Sequence, residues 1–259
     1  MLSIFTHINI AMKILVIGSA RTASSALCEY LKINNEPIQN LGEYISHKYK
    51  NQYLSLLNIL HDINKVNLRL QKSIVYESNE LVTNIPNYIL KILGCHLGGF
   101  SLHIKAIQPE KYDKIYCIER HDFFNQVCSH TIANTENVWH KRLDSPEILE
   151  KYNDIKNKNF TVDSGHIIGI AYDIAHYLKC KRYLLTNKIN FEQVYFTDPI
   201  FTVNSPIGRY SKNDLDYGSI VSNYEISTDI NQIFLKYFDY NSLYHDFENF
   251  QHEILTYLK

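Results

Sequence analysis

Residues 13–31, KILVIGSARTASSALCEYL, constrain the fold more than any other stretch of the chain. Residues 13–17 form a nearly all-apolar run with β-branched members, the pattern of a buried strand. From Ser24 onward, Leu27, Cys28 and Leu31 recur at helical spacing, so the strand feeds a helix through Gly18, Ser19, Ala20, Arg21, Thr22 and Ala23. A strand that turns through small residues into a helix leaves backbone N–H groups unpaired at the helix start, where the helix dipole also favours negative charge. The junction is therefore an anion seat. Small side chains let a phosphate approach the backbone, Ser24 and Ser25 add hydroxyl donors, and Arg21 brings a permanent cation with a planar fork of donors.

Two common phosphate loops do not fit this junction. The nucleoside triphosphatase loop ends in Gly-Lys-Ser/Thr, whereas Ala23-Ser24-Ser25 stand at those positions. The dinucleotide fingerprint needs several glycines, and Gly18 is the only one in the turn. The rest of the chain says what surrounds the seat. With 259 residues, 45% of them hydrophobic and 20% charged, it can bury a full core, and its net charge of −1 gives no reason to expect nucleic acid or an anionic membrane as partner. No apolar run approaches the roughly 20 residues of a membrane span. Five cysteines, odd in number and without a CxxC pair, point to reduced thiols in a cytoplasmic protein. No metal site is expected, since Cys95-His96 has no second half.

Residues 1–12 read as an N-terminal extension and residues 13–259 as a single domain, with no repeat or low-complexity linker to divide it. Residues 34–44 predict a loop at the mouth of the seat. Helical spacing recurs over residues 53–63, a short strand is expected at 73–76, and residues 81–93 read as a helix interrupted or begun afresh at Pro86. Residues 102–107 (LHIKAI) and 114–119 (KIYCIE) read as core strands. A helix is predicted over 121–133, a polar and partly helical region over 134–159, a long helix over 167–185, a last strand over 193–197 and a C-terminal helix over 237–258. Strands alternating with helices predict an α/β fold with a central, mainly parallel sheet flanked by helices.

Residues 114–133, KIYCIERHDFFNQVCSHTIA, repeat the strand, turn and helix order, with Arg120 at the strand end, Asp122 two residues on and Ser129 nine residues after the arginine. Arg120 alone is no more than a strand-end arginine, and Ser129 alone a helix serine. A guanidinium and a hydroxyl together can grip a second phosphate.

With both motifs in hand, the chain resembles the sulfotransferases that use 3′-phosphoadenosine 5′-phosphosulfate (PAPS), nearest the bacterial trehalose 2-sulfotransferase-like branch. The family's phosphosulfate loop typically reads Pro-Arg/Lys-Ser/Thr-Gly-Ser/Thr-Ser/Thr, and in that branch a Leu-Cys-Glu helix follows, as Leu27-Cys28-Glu29 does here. Ala20 stands in place of the proline and Ala23 in place of the glycine. The resemblance implies a P-loop-like fold in which residues 18–25 bind the 5′-phosphosulfate and Arg120 and Ser129 hold the 3′-phosphate. It implies PAPS as co-substrate, adenosine 3′,5′-bisphosphate (PAP) as product, no metal, and a hydroxyl acceptor such as a sugar or glycolipid. In that branch a Glu-Tyr or Glu-Phe pair after the phosphosulfate helix carries the base, which maps onto Glu43-Tyr44. His121 is the second candidate base. Lys105 can help polarise the acceptor, Arg21 suits the leaving oxygen, and residues 216–224 (DYGSIVSNY) are similar to a C-terminal segment of many members. Arg209 and Lys212 lie in a loop read as solvated. Two other readings stay open: a nucleotide-binding protein of the same fold without turnover, and a P-loop kinase. The sequence also leaves open whether the chain forms a homodimer.

Overall fold

A computed structural model of the chain describes residues 12–35, 37–42, 87–99, 104–155, 158, 160–201, 210–211 and 226–258. Within these, β1 (Lys13–Gly18) leads into α1 (Ser24–Asn34) and β2 (Gln39–Gly42). Next come β3 (Tyr88–Leu93), α2 (Gly94–Gly99), the single turn α3 (Ile104–Ile107), β4 (Lys114–Glu119) and α4 (Phe123–Glu136). The remainder is β5 (Lys141–Arg142), α5 (Pro146–Ile155), α6 (Ser164–Thr186), β6 (Glu192–Tyr195), β7 (Tyr210–Ser211), α7 (Ile226–Tyr237), β8 (Phe238–Asp239), β9 (Tyr244–His245) and α8 (Phe247–Tyr257).

A strand apolar on both faces must be covered on both, and β1 obeys that rule. Ile14 and Val16 face α1 with Leu27, Leu31 and Ile118, while Leu15 and Ile17 face the larger cluster built by α4, α6, α7 and α8. All four are fully buried. β1 is central in a five-stranded sheet of order β2-β3-β1-β4-β6, and every pairing is parallel, as the alternation of strands and helices predicts. No described helix is long and apolar enough to cross a membrane.

Four assignments differ from the sequence reading. Tyr88–Leu93 is a strand, not the end of a helix over 81–93: all six of its residues are buried, and the ladder to β1 outweighs the helical spacing of a short apolar run. Residues 102–107 contain no strand among the described positions, because Ile104–Ile107 turns as a helix; Lys105 therefore belongs to α3, and its strand assignment is corrected. Gln39–Gly42 pairs with β3 although its sequence, QNLG, has little strand character. The C-terminal helix begins at Phe247, after a helix ending at Tyr237 and the small β8–β9 hairpin. The predicted helix over 53–63 and strand at 73–76 lie outside the described residues.

Candidate functional site

A cavity of about 420 Å³ opens at the carboxyl edge of the sheet. Ala20 after β1, Leu93 at the end of β3, Arg120 after β4 and Phe196 after β6 all line it. In open α/β sheets the crevice outside the carboxyl ends of the strands is where ligands bind, and the volume falls in the roughly 300–1,000 Å³ range of small-molecule sites.

The first motif divides into a back and a face. Gly18, Ser19 and Thr22 form the back. A Cβ at Gly18 would lie 2.6 Å from the Ile118 methyl and 3.0 Å from Thr22 Oγ1, so the chain can pass there only as glycine. The buried Thr22 hydroxyl donates to the Ser19 carbonyl (2.8 Å), and Gln126 on α4 donates its amide to Ser19 Oγ (2.9 Å) and the Ala20 carbonyl (2.5 Å). Ala20, Arg21, Ala23, Ser24 and Ser25 form the face that lines the cavity. Arg21 and Ala23 both take left-handed backbone conformations, φ 65° and 64°. That conformation is glycine's at low cost, so Arg21 and Ala23 hold backbone shapes that glycine adopts more readily. No side chain caps the start of α1. Its first-turn N–H groups, with Ser24 to Ala26 on the cavity wall, supply the donors of an anion seat.

The second motif reaches the same cavity. Arg21 Nε donates to Ser129 Oγ at 2.9 Å, across 108 residues of sequence, and a second guanidinium N–H of Arg21 donates to the Trp139 carbonyl. Arg120, 4% exposed, donates to the Arg21 carbonyl (3.3 Å) and lays its guanidinium 4.1 Å from the centre of the Phe196 ring. Ser129 is not itself among the described lining residues; it meets the cavity through Arg21. Asp122 accepts from the Asn125 N–H as the cap of α4.

His121 sits elsewhere. Its Nε2 lies 2.9 Å from Glu119 Oε2, and its ring stacks on Tyr240 at 4.6 Å. Glu119, 2% exposed, also accepts from Tyr177 Oη (2.9 Å) and Lys181 Nζ (2.5 Å). Tyr240 donates to the Arg120 carbonyl (3.2 Å). His121 therefore belongs to the cluster that braces Arg120 from behind, and it is not among the described lining residues. Glu43 follows β2 in sequence but lies outside the described residues, as do the Lys105 side chain, Arg209, Lys212 and residues 216–224.

Three lining residues were missed by the sequence reading. Lys91, 4% exposed on β3, donates to Ser25 Oγ at 2.6 Å and sets a cation beside the seat that has no loop lysine. The signal was available in YILKIL, where a lone lysine in an apolar strand has to find a polar partner. His130, the residue after Ser129, lines the cavity with its Nδ1 buried and without a hydrogen-bond partner. Burial first, then the charges of His166 and Arg21, push its pKa down to about 4, so it is neutral at pH 7. Asp173 on α6 is 2% exposed and accepts the N–H groups of Ala20 and Cys95. Among the described residues no His, Cys, Asp and Glu cluster could hold a metal ion.

Set against known proteins, the sequence matches no family model and no curated protein.

Proposed function

We propose that this chain is a sulfotransferase that moves a sulfuryl group from PAPS to a hydroxyl acceptor. The observation that carries the reading is the meeting of Arg21 and Ser129, which puts the two sequence motifs on one cavity. The strand, loop and helix at the centre of the sheet support placing the fold with the P-loop-like ones. In this reading the first-turn N–H groups of α1, Ser24, Ser25 and Lys91 take the 5′-phosphosulfate, and Arg120 takes the 3′-phosphate. The acceptor oxygen forms a bond to sulfur as the bond from sulfur to the 5′-phosphate oxygen breaks, PAP leaves, and the hydroxyl proton passes to a base. Arg21 meets the charge that develops on the bridging oxygen. Glu43 is the base assigned by the resemblance. The left-handed turn at Ala23 supports a nucleotide seat in either reading, and the transfer assay separates the working enzyme from the silent binder.

The test is radiolabelled sulfuryl transfer from PAPS across a panel of sugars, glycolipids and small alcohols, paired with calorimetry of PAP. The wild type labels an acceptor, and Glu43→Gln lowers transfer by roughly 10²- to 10⁴-fold while PAP affinity stays within a few-fold. Tight PAP binding with no labelled acceptor favours the nucleotide-binding protein without turnover. Full activity in Glu43→Gln moves the base to another residue.

A further inference from the structure

Asp173 is a carboxylate on the wall of a cavity otherwise furnished for anions, and the reading above gives it no task. It comes from the middle of α6, the long helix packed beneath the carboxyl edge of the sheet, and it is 2% exposed. One carboxylate oxygen accepts the N–H of Ala20, in the turn after β1, and the other accepts the N–H of Cys95, in the first turn of α2 directly after β3. Ala20, Cys95 and Asp173 all line the cavity. The approach of α6 is close enough that a Cβ on Gly94 would collide with the Asp173 backbone carbonyl and lie 2.5 Å from its Oδ1. A single acidic side chain thus ties together the segments that follow two different strands.

We propose that Asp173 is a positioning residue for the anion loop, fixing Ala20 against the start of α2 so that the donors of residues 21–25 face the ligand. The proposal rests on the cavity being an anion seat, as the proposed function has it. Its logic is electrostatic. A carboxylate is a poor neighbour for a phosphate, and a chain that needed only packing at this point would do better with a neutral residue. Here the two N–H groups converge one on each oxygen, and an ionised carboxylate meets them with two acceptors and no competing donor. Burial pushes the Asp173 pKa up to about 6, against the pull of the Ala20 and Cys95 N–H bonds and of His96. The titratable groups that bear on it are His96 and Cys95 from α2 and Tyr240 from the segment between β8 and β9.

The sign of the stability effect follows. Because the folded pKa lies above the unfolded value near 3.9, the protein is most stable with Asp173 protonated, and that stability is lost as pH rises through about 6. A residue kept only for the fold would not carry this cost, whereas one kept for a site can.

The experiment compares wild type with Asp173→Asn, which has the same shape but trades one acceptor oxygen for a donor. Thermal unfolding is followed from pH 4.5 to 7.5, and the binding of PAP and of inorganic pyrophosphate is measured at pH 7.5. The expected result is opposite motion. Asp173→Asn matches or exceeds wild type in Tm at pH 7.5, with the difference shrinking toward pH 4.5, and binds both probes about tenfold more weakly. In the wild type, amide hydrogen exchange at Ala20 and Cys95 is slow and of similar rate, a result that needs no variant. Unchanged probe affinity in the variant, or a lower Tm with unchanged affinity of the folded protein, overturns the proposal and leaves the sulfotransferase reading standing. Pyrophosphate bound without PAP removes the nucleotide reading and still tests Asp173. A wild type that binds neither probe overturns the anion seat and the positioning role together.

Discussion

The turn after β1 and the turn after β4 have the same plan, a buried strand that delivers an arginine and then a helix, yet they are held in place by different physics. The first is shaped by its backbone: Gly18 lets the chain pass Ile118, Arg21 and Ala23 take left-handed conformations, and the loop is tied from behind by Thr22, Gln126 and Asp173. The second is shaped by charge and rings: Glu119 gathers Lys181, Tyr177 and His121, and Tyr240 holds the Arg120 carbonyl. The backbone of the first loop sets Arg21, Ser24 and Ser25 on the cavity wall, with Arg21 donating to Ser129 and to the Trp139 carbonyl. Both turns lean on a buried carboxylate, but Asp173 meets backbone N–H groups of the first, whereas Glu119 gathers a lysine, a tyrosine and a histidine behind the second. In the proposed reaction Arg21 is assigned to the charge that develops on the bridging oxygen and Arg120 to the standing charge of the 3′-phosphate.

Four changes break or sharpen this contrast. The largest effect is expected from Glu119→Ala, which takes the buried carboxylate from the partly buried Lys181 and from Tyr177; removing one partner of a buried pair costs about 3–5 kcal/mol, and the exposure of Lys181 sets the loss at the lower end. Chemical denaturation should show that loss, and a change below about 1 kcal/mol would mean that the β4 turn is not braced by charge. Arg21→Ala follows, with sulfuryl transfer reduced on the order of a hundredfold or more, equivalent to about 2.7 kcal/mol in the barrier, and stability nearly unchanged. Equal losses in transfer and in PAP affinity would make Arg21 an anchor and erase its difference from Arg120. Arg120→Ala should weaken PAP by roughly 10- to 100-fold, the worth of charged hydrogen bonds to one phosphate, and adenosine 5′-phosphate by only a few-fold. Calorimetry with both nucleotides decides it, and equal losses would detach Arg120 from the 3′-phosphate. The smallest effect is a gain. Ala23→Gly relieves a left-handed alanine, worth about 1–2 kcal/mol, and adds unfolded-chain entropy of about 0.5–1 kcal/mol, so stability should rise by about 0.5–1 kcal/mol. A lower Tm would show that the turn is not strained at Ala23.

How much of this was legible in the sequence follows the same divide. The β1 turn was readable because its physics is local: an apolar run, small residues, one arginine and a helical spacing stand side by side in residues 13–31. The parallel sheet was readable from the alternation of elements. Arg120 and Ser129 were readable as residues, but the pairing of Ser129 with Arg21 is a tertiary fact that spacing cannot carry. Tyr88–Leu93 was misread because a short apolar run does not declare its period, and that error hid Lys91, while Lys105 was given the strand lysine's part. His121 was read as a possible base from its neighbour Arg120, but beyond the end of β4 its ring turns to Glu119 and Tyr240, partners that spacing cannot reveal. Asp173 could not be found at all, since nothing in the middle of a long helix pattern reveals two N–H groups arriving from a turn and a helix start about 150 and 80 residues earlier.

The central claim is that the two turns form one seat for a nucleotide carrying phosphate at both its 3′ and 5′ positions. The most direct measurement is the thermal shift of the wild-type protein with PAP and, separately, with ATP and magnesium at equal concentrations, since a ligand that binds only the folded state raises its stability in proportion to ln(1 + [L]/Kd). The account predicts a rise in Tm with PAP and none with ATP and magnesium. A rise with ATP and magnesium and none with PAP would contradict it and favour a kinase.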